Sequence, residues 1–583
     1  MAVENLITEH IDIWTSAVKT KSTSGRGSSN KLELYGVKKL RELILELAVR
    51  GKLVPQDPND EPASVLLERI AQEKAQLVKE KKIKKPRKYE PIDDNSLPFN
   101  IPSSWKWARI EDLGHDLGQK KPDKTFTYVD VGSINKELGY IDEPSILEHS
   151  EAPSRARKLV QKNTVIYSTV RPYLLNIAVI DRDFNPEPIA STAFAIIHPL
   201  SGISSSYIYR YLRSPSFIEY VESVQTGIAY PAINDKQFFF GLIPVPPSAE
   251  QHRIVAKVDE LMALCDQLEQ QTEASIKGHQ VLVTTLLDTL TNSADADELM
   301  QNWARISEHF DTLFTTEESI DQLKQTILQL AVMGKLVPQN PDDEPAAELL
   351  KRIAEEKAQL VKEKKIKKQK ALPPISEDEK PFELPSGWVW THMDELFYVS
   401  GGLQKTPKRT PVSNHFPYLA VANVQRGRLE LDELKRFEVT PEELEQYKLL
   451  AGDLMVVEGN GSENEIGRCA IWSEDVPDCL HQNHLIRCRP LIPALSFWVL
   501  NVLNSPLGIN TMKSLAVTSS GLYNLSVGKI RGIFLPMPPL NEQKRIVSKV
   551  KELTSICDQL KAHLNESQVT QLHLTDIIVE QAG

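Results

Sequence analysis

Cysteine is scarce: only Cys265, Cys469, Cys479, Cys488 and Cys557 occur in 583 residues. So few, and an odd number, exclude a disulfide-built secreted scaffold and point to reduced thiols in a cytoplasm. A long apolar run is also missing. The most apolar stretch, 491–507, is broken by Pro493, Asn501, Asn504 and Pro506, short of the roughly 20 residues a membrane helix needs. Residues 1–15 mix acidic with apolar side chains and lack the basic start and apolar run of a secretory signal. The expectation is a soluble, cytoplasmic protein with no membrane attachment. Positive charge is in deficit too: 68 Lys and Arg face 79 Asp and Glu, a formal net charge of -11. That balance argues mildly against a nucleic-acid binder, so any basic surface has to be local.

Catalytic signatures are equally wanting. An adenine methyltransferase carries a glycine-rich cofactor loop and an Asp/Asn-Pro-Pro-aromatic motif, and NPEP at 185–188 is not that motif. GNGSENEIG at 459–467 lacks the Lys-Ser/Thr ending of a P-loop. PDK at 122–124 and EDEK at 377–380 are fragments of nuclease-like patterns without further carboxylates in context. No Ser/His/Asp or Cys/His arrangement can be assigned from spacing. Cys469, Cys479, His481, His484 and Cys488 crowd together, but without the paired spacing of zinc ligands and on strand-like runs. No catalytic residue, cofactor or metal is assigned to this chain.

What is present is present twice. ILELAVRGKLVPQDPNDEPASVLLERIAQEKAQLVKEKKIKK at 44–85 returns at 327–368 as ILQLAVMGKLVPQNPDDEPAAELLKRIAEEKAQLVKEKKIKK. About 34 of these 42 positions are identical, which excludes chance. PFNIPSSWKW at 98–107 matches PFELPSGWVW at 381–390, and PPSAEQHRIVAKVDELMALCDQL at 246–268 matches PPLNEQKRIVSKVKELTSICDQL at 538–560. ITEHID at 7–12 precedes the first copy and ISEHFD at 306–311 the second. The copies lie 299, then 283, then 292 residues apart. The first drop places a net insertion of 16 residues around 19–34, where STSGRGSSN reads as a flexible loop. The rise makes the second intervening block nine residues longer than the first. Residues 108–245 and 391–537 share no comparable identity. A duplicated frame therefore holds two divergent inserts.

The frame reads as helical. Leu40, Leu43, Ile44 and Leu47 recur at helical spacing, and Gly51 stands where a helix end needs positive φ. Asp60-Glu61-Pro62 then restarts a helix with an acidic cap and a first-turn proline, ending in KEKKIKK. That lysine run, present in both copies, is either a solvated helix end or a contact for DNA backbone or a partner subunit. Ile254, Val258, Leu261, Cys265 and Leu268 step by 4, 3, 4 and 3, as do Ile546, Val550, Leu553, Cys557 and Leu560. The rhythm predicts two long helices packed on each other as a coiled-coil spacer, the first running from 250 to about 290. Each insert reads as α+β, with short strands at 164–169, 176–181, 453–458 and 467–472 and a last strand closing on prolines. Trp105 and Trp107, with Trp388 and Trp390, are expected to anchor each globule to its helix.

With this layout the sequence resembles the specificity subunits of Type I restriction–modification enzymes over essentially its whole length. The twice-used GKLVPQ helix end, the PSxW lead-in and the proline pair followed by E-Q-x-R-I-V carry the resemblance. It implies an α+β protein with an internal pseudo-two-fold repeat: a helical N-terminal segment (1–97), a target-recognition domain (98–248), a central helical frame (249–380), a second recognition domain (381–540) and a C-terminal coiled-coil helix (541–583). Two α/β recognition domains, separated by a pair of long antiparallel helices, would each read half of a split, asymmetric site in double-stranded DNA. Two modification subunits would methylate an adenine in each half, and two restriction subunits, translocases with nuclease activity, would join them. S-adenosylmethionine, ATP and Mg2+ belong to those partners, and the chain by itself is no enzyme.

Base reading needs polar tips on loops held by a rigid scaffold. In the first insert STVRPY (168–173) and QTGIAYPAIN (225–234) offer Thr169, Arg171, Tyr173, Thr226, Tyr230 and Asn234. Arg171 is the leading candidate for a base or phosphate contact. The alternative puts Arg171 in an internal salt bridge and Tyr230 in the core. In the second insert 458–468, 479–484 and 518–524 offer Asn460, Ser462, Arg468, Gln482, Asn483, Ser520 and Tyr523. Their alternative is hydrogen bonding within turns. A helical scaffold with two interaction domains and no DNA role fits the seam and the acidity, but not the proline pair followed by E-Q-x-R-I-V.

Overall fold

The computed structural model describes residues 3–21, 31–87, 89–93, 97–294, 296–460, 462, 465–519 and 522–582. The Ser/Gly stretch at 22–30 and Ser520 lie outside them. The chain divides into two compact units. Residues 32–274 and 568–582 belong to the first and 275–567 to the second, so each unit holds one frame copy and one insert.

The six longest helices among the described residues lie in the frame: α1 (Tyr35–Val49), α2 (Ala63–Lys79), α3 (Ser248–Thr291), α4 (Glu317–Val332), α5 (Ala346–Lys362) and α6 (Leu540–Ala582). The apolar face expected for α1 is buried at Leu40, Leu43, Ile44 and Leu47. A Schellman turn stops it: Lys52 N–H donates to Leu47 O at 2.9 Å, and Gly51 takes φ 70°. A Cβ on Gly51 would stand 2.5 Å from Pro102 Cγ, and one on Gly334 2.5 Å from Pro385 Cγ. Glycine is thus required both by φ and by the proline before each anchoring tryptophan.

The start of α2 differs from the sequence expectation. Pro62 is itself the N-cap residue, without a side-chain cap, because Asp60 holds Arg253 at 2.6 Å instead. Pro345 and the Asp343–Arg545 pair at 2.7 Å repeat this at α5. The arginine is the one in E-Q-x-R-I-V. Its glutamate accepts the indole N–H of the lead-in tryptophan: Trp105 to Glu250 and Trp388 to Glu542, each at 3.0 Å. Burial raises the carboxyl pKa of Glu250 and Glu542, and the tryptophan bond pulls it back. The anchoring role expected for Trp105 and Trp388 is therefore seen atom by atom. Trp107 and Trp390 pack instead edge-on against Phe99 and Phe382.

At 44 residues α3 is one continuous helix, about 66 Å long at 1.5 Å per residue. Its seam residues Ile254, Val258, Leu261 and Cys265 are buried. In the first unit Arg41 of α1 holds Asp266 and Glu269 of α3, both at 2.7 Å, and Tyr35 donates to Asp576 of α6. In the second unit Lys561 of α6 reaches Asp321 of α4 at 3.0 Å, and Lys324 of α4 pairs with Asp558 of α6. Ile320, Leu323 and Ile327 of α4 share one apolar cluster with Val283, Leu287 and Leu290 of α3 and with Ile546, Val550 and Cys557 of α6. α1 and α4 thus supply polar partners to the long helices, each within its own unit.

The two inserts, unlike in sequence, have one topology. In the first, strands order as Ile177–Val179, Val165–Ser168, Phe194–Pro199 and Gly114–His115, all antiparallel. In the second the same order is Cys469–Ile471, Leu454–Val457, Leu485–Pro490 and Phe397–Gly401. A second sheet pairs Phe126–Val129 in parallel with Pro188–Ser191, and correspondingly His415–Leu419 with Leu480–His481. The proline-closed strands Leu242–Val245 and Phe534–Met537 pair back on Lys106–Arg109 and Val389–His392. Both ends of each insert therefore meet at one place, beside the frame.

Candidate nucleic-acid interface

The strand Val165–Ser168 is buried along its length and runs out into a loop with two left-handed residues, Arg171 at φ 51° and Leu175 at φ 52°. The Arg171 N–H donates to Pro231 O at 2.8 Å, and Ile233 N–H donates to Thr169 O at 3.0 Å. Thr226 and Ala232 close the second loop with two bonds of 2.9 Å. The two segments picked from the sequence of this insert are therefore one surface. The Arg171 guanidinium lies over the Tyr230 ring, 4.9 Å from its centroid. Tyr230 is 68% exposed and Ile228 fully exposed, so Tyr230 is not core. Arg171 makes no ion pair among the described residues.

Other candidates in this insert are engaged by the fold. Thr169 is buried, its hydroxyl donating to Ala193 O at 2.9 Å. Asn234 caps the helix Asp235–Phe240, its Oδ1 accepting from Gln237 N–H at 2.9 Å. Tyr173 and Thr226 stay exposed. The surface has a third segment that the sequence did not suggest: residues 191–193, where exposed Thr192 donates its N–H to Arg155 O at 2.8 Å. Nothing in the local sequence marks it, because it forms only when the parallel strand arrives beside Arg171's loop.

In the second insert the same three segments meet. Glu458 N–H donates to His484 O at 3.0 Å, and Leu525 N–H donates to Glu458 O at 2.7 Å. Gly459–Asn460, Leu522–Asn524 and Val517–Ser519 form a small antiparallel sheet, with Asn460 opposite Tyr523. Asn460 consequently occupies the backbone position that Arg171 has in the first insert. Gln482 and Asn483 follow the strand Leu480–His481 and are half-buried, their N–H groups donating to Leu419 O and Leu403 O at 3.1 and 2.9 Å. Tyr523 is half-buried and Ser462 exposed. Arg468 turns inward, donating to Gln425 Oε1 at 2.8 Å and pairing with Glu465 at 3.2 Å.

The chemistry around these loops is that of packing and recognition. Burial pushes the Glu458 carboxyl up, while His484, 4.0 Å away, pulls it down. His481 is fully buried and its pKa falls to about 3, through burial and then the neighbouring Arg487. All five cysteines are free and buried, and burial raises their thiol pKa values. Among the described residues no group of three or more His, Cys, Asp or Glu is placed to hold a metal ion. No described helix is long and apolar enough to cross a membrane.

Over its full length the chain is 42% identical to the Type I restriction enzyme EcoAI specificity subunit of Escherichia coli, which it also covers completely. The chain belongs to the family of Type I restriction specificity subunits. The EcoEI specificity subunit of Escherichia coli is 41% identical, again over 100% of both chains. The family model described as "Type I restriction modification DNA specificity domain" matches residues 102–278 of this specificity subunit, the first insert with the start of α3. A solved chain from work described as "Structural basis underlying complex assembly and conformational transition of the type I R-M system" covers 83% of it and 99% of its own length. That chain is 22% identical with a TM-score of 0.50, a likeness of fold.

Proposed function

We propose that this specificity subunit is a non-catalytic reader of a bipartite, asymmetric site in double-stranded DNA, with one half read by each insert. The observation that carries this reading is the recurrence of one three-segment loop cluster, in one topology, on two inserts of unrelated sequence. A repeated scaffold with variable tips is what independent readout of two half-sites requires. Arg171, held in place by its own backbone and by the Tyr230 ring, suits bidentate contact to guanine or to phosphate. Asn460 at the corresponding position suits adenine. Thr169, Tyr173, Thr226, Tyr230 and Asn234 support the first surface, and Ser462, Arg468, Gln482, Asn483 and Tyr523 the second; Ser520 is proposed as a DNA contact from its place in the sequence alone.

The recognition domains are 98–248 and 381–540, and the segments 1–97, 249–380 and 541–583 form the frame. α3 and α6 act as an antiparallel coiled-coil pair that sets the unread spacer. The first unit contains the start of α3 together with the end of α6, which supports that pairing. Duplicated frames offer two equivalent docking surfaces to two modification subunits, and two restriction subunits complete the assembly. S-adenosylmethionine, ATP and Mg2+ act in those partners, in the cytoplasm.

The test is a genome-wide adenine-methylation map from cells expressing this chain with its modification subunit. Exchanging residues 108–245 for another recognition domain is expected to change one half of a split motif and leave the other half and the spacer intact. A change in both halves would overturn the modular reading. Assembly of the complex without any modification would favour a scaffold with no DNA role.

A further inference from the structure

The lysine runs that end α2 and α5 are not used by the reading just given. Residues 79–87 and 362–370 each carry six cationic side chains against one glutamate, within a chain of net charge -11. Lys82 and Lys365 are drawn into ion pairs, with Glu80 and Glu363, both at 2.8 Å. Lys79, Lys81, Lys84, Lys85, Lys362, Lys364, Lys367 and Lys368 make none among the described residues. In each run the C′ residue that closes the helix is a lysine in the left-handed region, Lys81 at φ 59° and Lys364 at φ 60°. The closing bonds are Lys82 N–H to Leu77 O at 2.9 Å and Lys365 N–H to Leu360 O at 3.0 Å. Glycine is the residue without strain there. A charge is held at an unfavourable backbone position in both copies.

Each run is also tied to its reading surface. Beyond the first, Glu90 O accepts from Arg109 Nη2 at 3.1 Å, and Arg109 Nη1 donates to Phe240 O at 3.2 Å. Phe240 ends the six-residue helix whose cap is Asn234, so the two lie about 9 Å apart along it. At the end of the second, Lys370 O accepts from Arg531 Nη2 at 3.0 Å. Arg531 ends the helix Val527–Arg531, whose cap Ser526 follows the bond from Leu525 to Glu458. One short helix thus links a cationic run to a reading loop in either unit.

We propose that residues 79–87 and 362–370 are two sequence-independent sites for the phosphate backbone of duplex DNA, one flanking each half-site. This rests on the DNA-reading function proposed above. A polyanion fits better than a protein surface because the charge is dense and uniform and carries little apolar area. Lysine acts there as a point charge and needs no fixed geometry. Each neutralised phosphate releases counterions, so these runs would supply a large part of the salt-dependent affinity while the loops supply the choice of bases.

The experiment is equilibrium binding by the assembled complex of this chain with its modification subunit, from low to moderate salt. One duplex carries the mapped methylation motif and the other is scrambled. One variant replaces Lys81, Lys82, Lys84 and Lys85 by Gln, another Lys364, Lys365, Lys367 and Lys368, and a third all eight. Affinity for both duplexes is expected to fall by the same factor, about tenfold or more for the eightfold variant, with an unchanged methylated motif. The slope of log affinity against log salt should flatten by about 0.9 for each phosphate left without its lysine. Lys81→Gly with Lys364→Gly keeps the fold, relaxes the left-handed turn and should still weaken binding. An unchanged slope in an intact complex overturns the proposal. So does loss of co-purification with the modification subunit, which would make the runs a protein-docking surface. If the unaltered complex does not prefer its own motif, the failure lies in the DNA reading itself.

Discussion

The frame and the inserts each occur twice in the chain, yet they keep different things. In the frame, atoms repeat: tryptophan to glutamate at 3.0 Å twice, and arginine to aspartate at 2.6 and 2.7 Å. In the inserts the strand order and the backbone bonds of the loops repeat, while many side-chain partners are exchanged. Thr164 bonds to His198 at 3.1 Å in the first, where Asp453 holds Arg489 at 2.9 and 2.7 Å in the second. Ala190 and His481 occupy the same place on the parallel strand. Backbone pairing and an apolar interior suffice to hold a sheet, so those positions drift. The frame joins chain segments about 150 to 200 residues apart through single polar contacts, and such contacts have no equivalent substitute.

The largest expected effect tests the sameness of the frame. Trp105→Ala and Trp388→Ala should each cost about 3–5 kcal/mol, since each empties a buried indole site and removes one of the two side-chain donors to a glutamate, the other being Gln56 or Gln339. Because the two sites match, the costs should agree within about 1 kcal/mol, read by denaturant unfolding followed by circular dichroism. A difference above about 2 kcal/mol would mean the inserts, not the frame, decide what each tryptophan is worth.

The inserts should behave in the opposite way. Asp453→Asn leaves Arg489 without its buried carboxylate and should cost about 3 kcal/mol. Thr164→Val, at the matching place, removes two neutral hydrogen bonds, with His198 and from Gln161 N–H, and should cost about 1–2 kcal/mol. Equal costs, measured the same way, would erase the contrast drawn between frame and insert.

The same contrast governs what is legible in the sequence. The frame announces itself through identity, and its helices, glycine stops and tryptophan anchors fall where periodicity and turn chemistry put them. The insert strands show as apolar runs, but their order is set by long-range pairing that no local pattern records. Pro62 has the local signature of a first-turn residue, since nothing nearby shows that Asp60 is committed to Arg253, far along the chain. The joining of Arg171's loop to Tyr230's is half visible as two polar tips. The third segment, at Thr192, is invisible because a strand end becomes part of a site only through its neighbours. Arg468 looks like a reader in sequence, and its bonds to Gln425 and Glu465 are visible only in the fold.

Acid should separate the inserts further. His481 has a folded pKa of about 3 against about 6.5 when unfolded, so the folded state refuses a proton that the unfolded chain accepts. The stability it permits is complete above about pH 6.5 and is lost as pH falls from there towards 3. At pH 5 the loss should be about 2 kcal/mol, and His481→Leu should abolish it. The first insert has Ala190 there, and only the half-buried His198, lowered by burial and then by His115, shifts in the same direction. Unfolding at pH 5 and pH 7, monitored by hydrogen exchange in each insert, should show the second loosening first. Equal loosening would place the acid sensitivity elsewhere.

The smallest expected effect on stability is at an exposed loop position. Arg171→Gly removes a solvent-facing side chain and relaxes a left-handed residue, while the unfolded chain gains freedom, so stability should stay within about 0.5 kcal/mol. Its effect on reading should nevertheless be plain, because a bidentate base contact is worth about 1–3 kcal/mol of discrimination. In methylation maps, one position of one half-site should then relax while the other half is read as before. A loss spread evenly over all sequences would instead assign Arg171 to phosphate, the role proposed for the lysine runs. A change in the half read by the second insert would mean that the inserts do not vary independently on their shared frame.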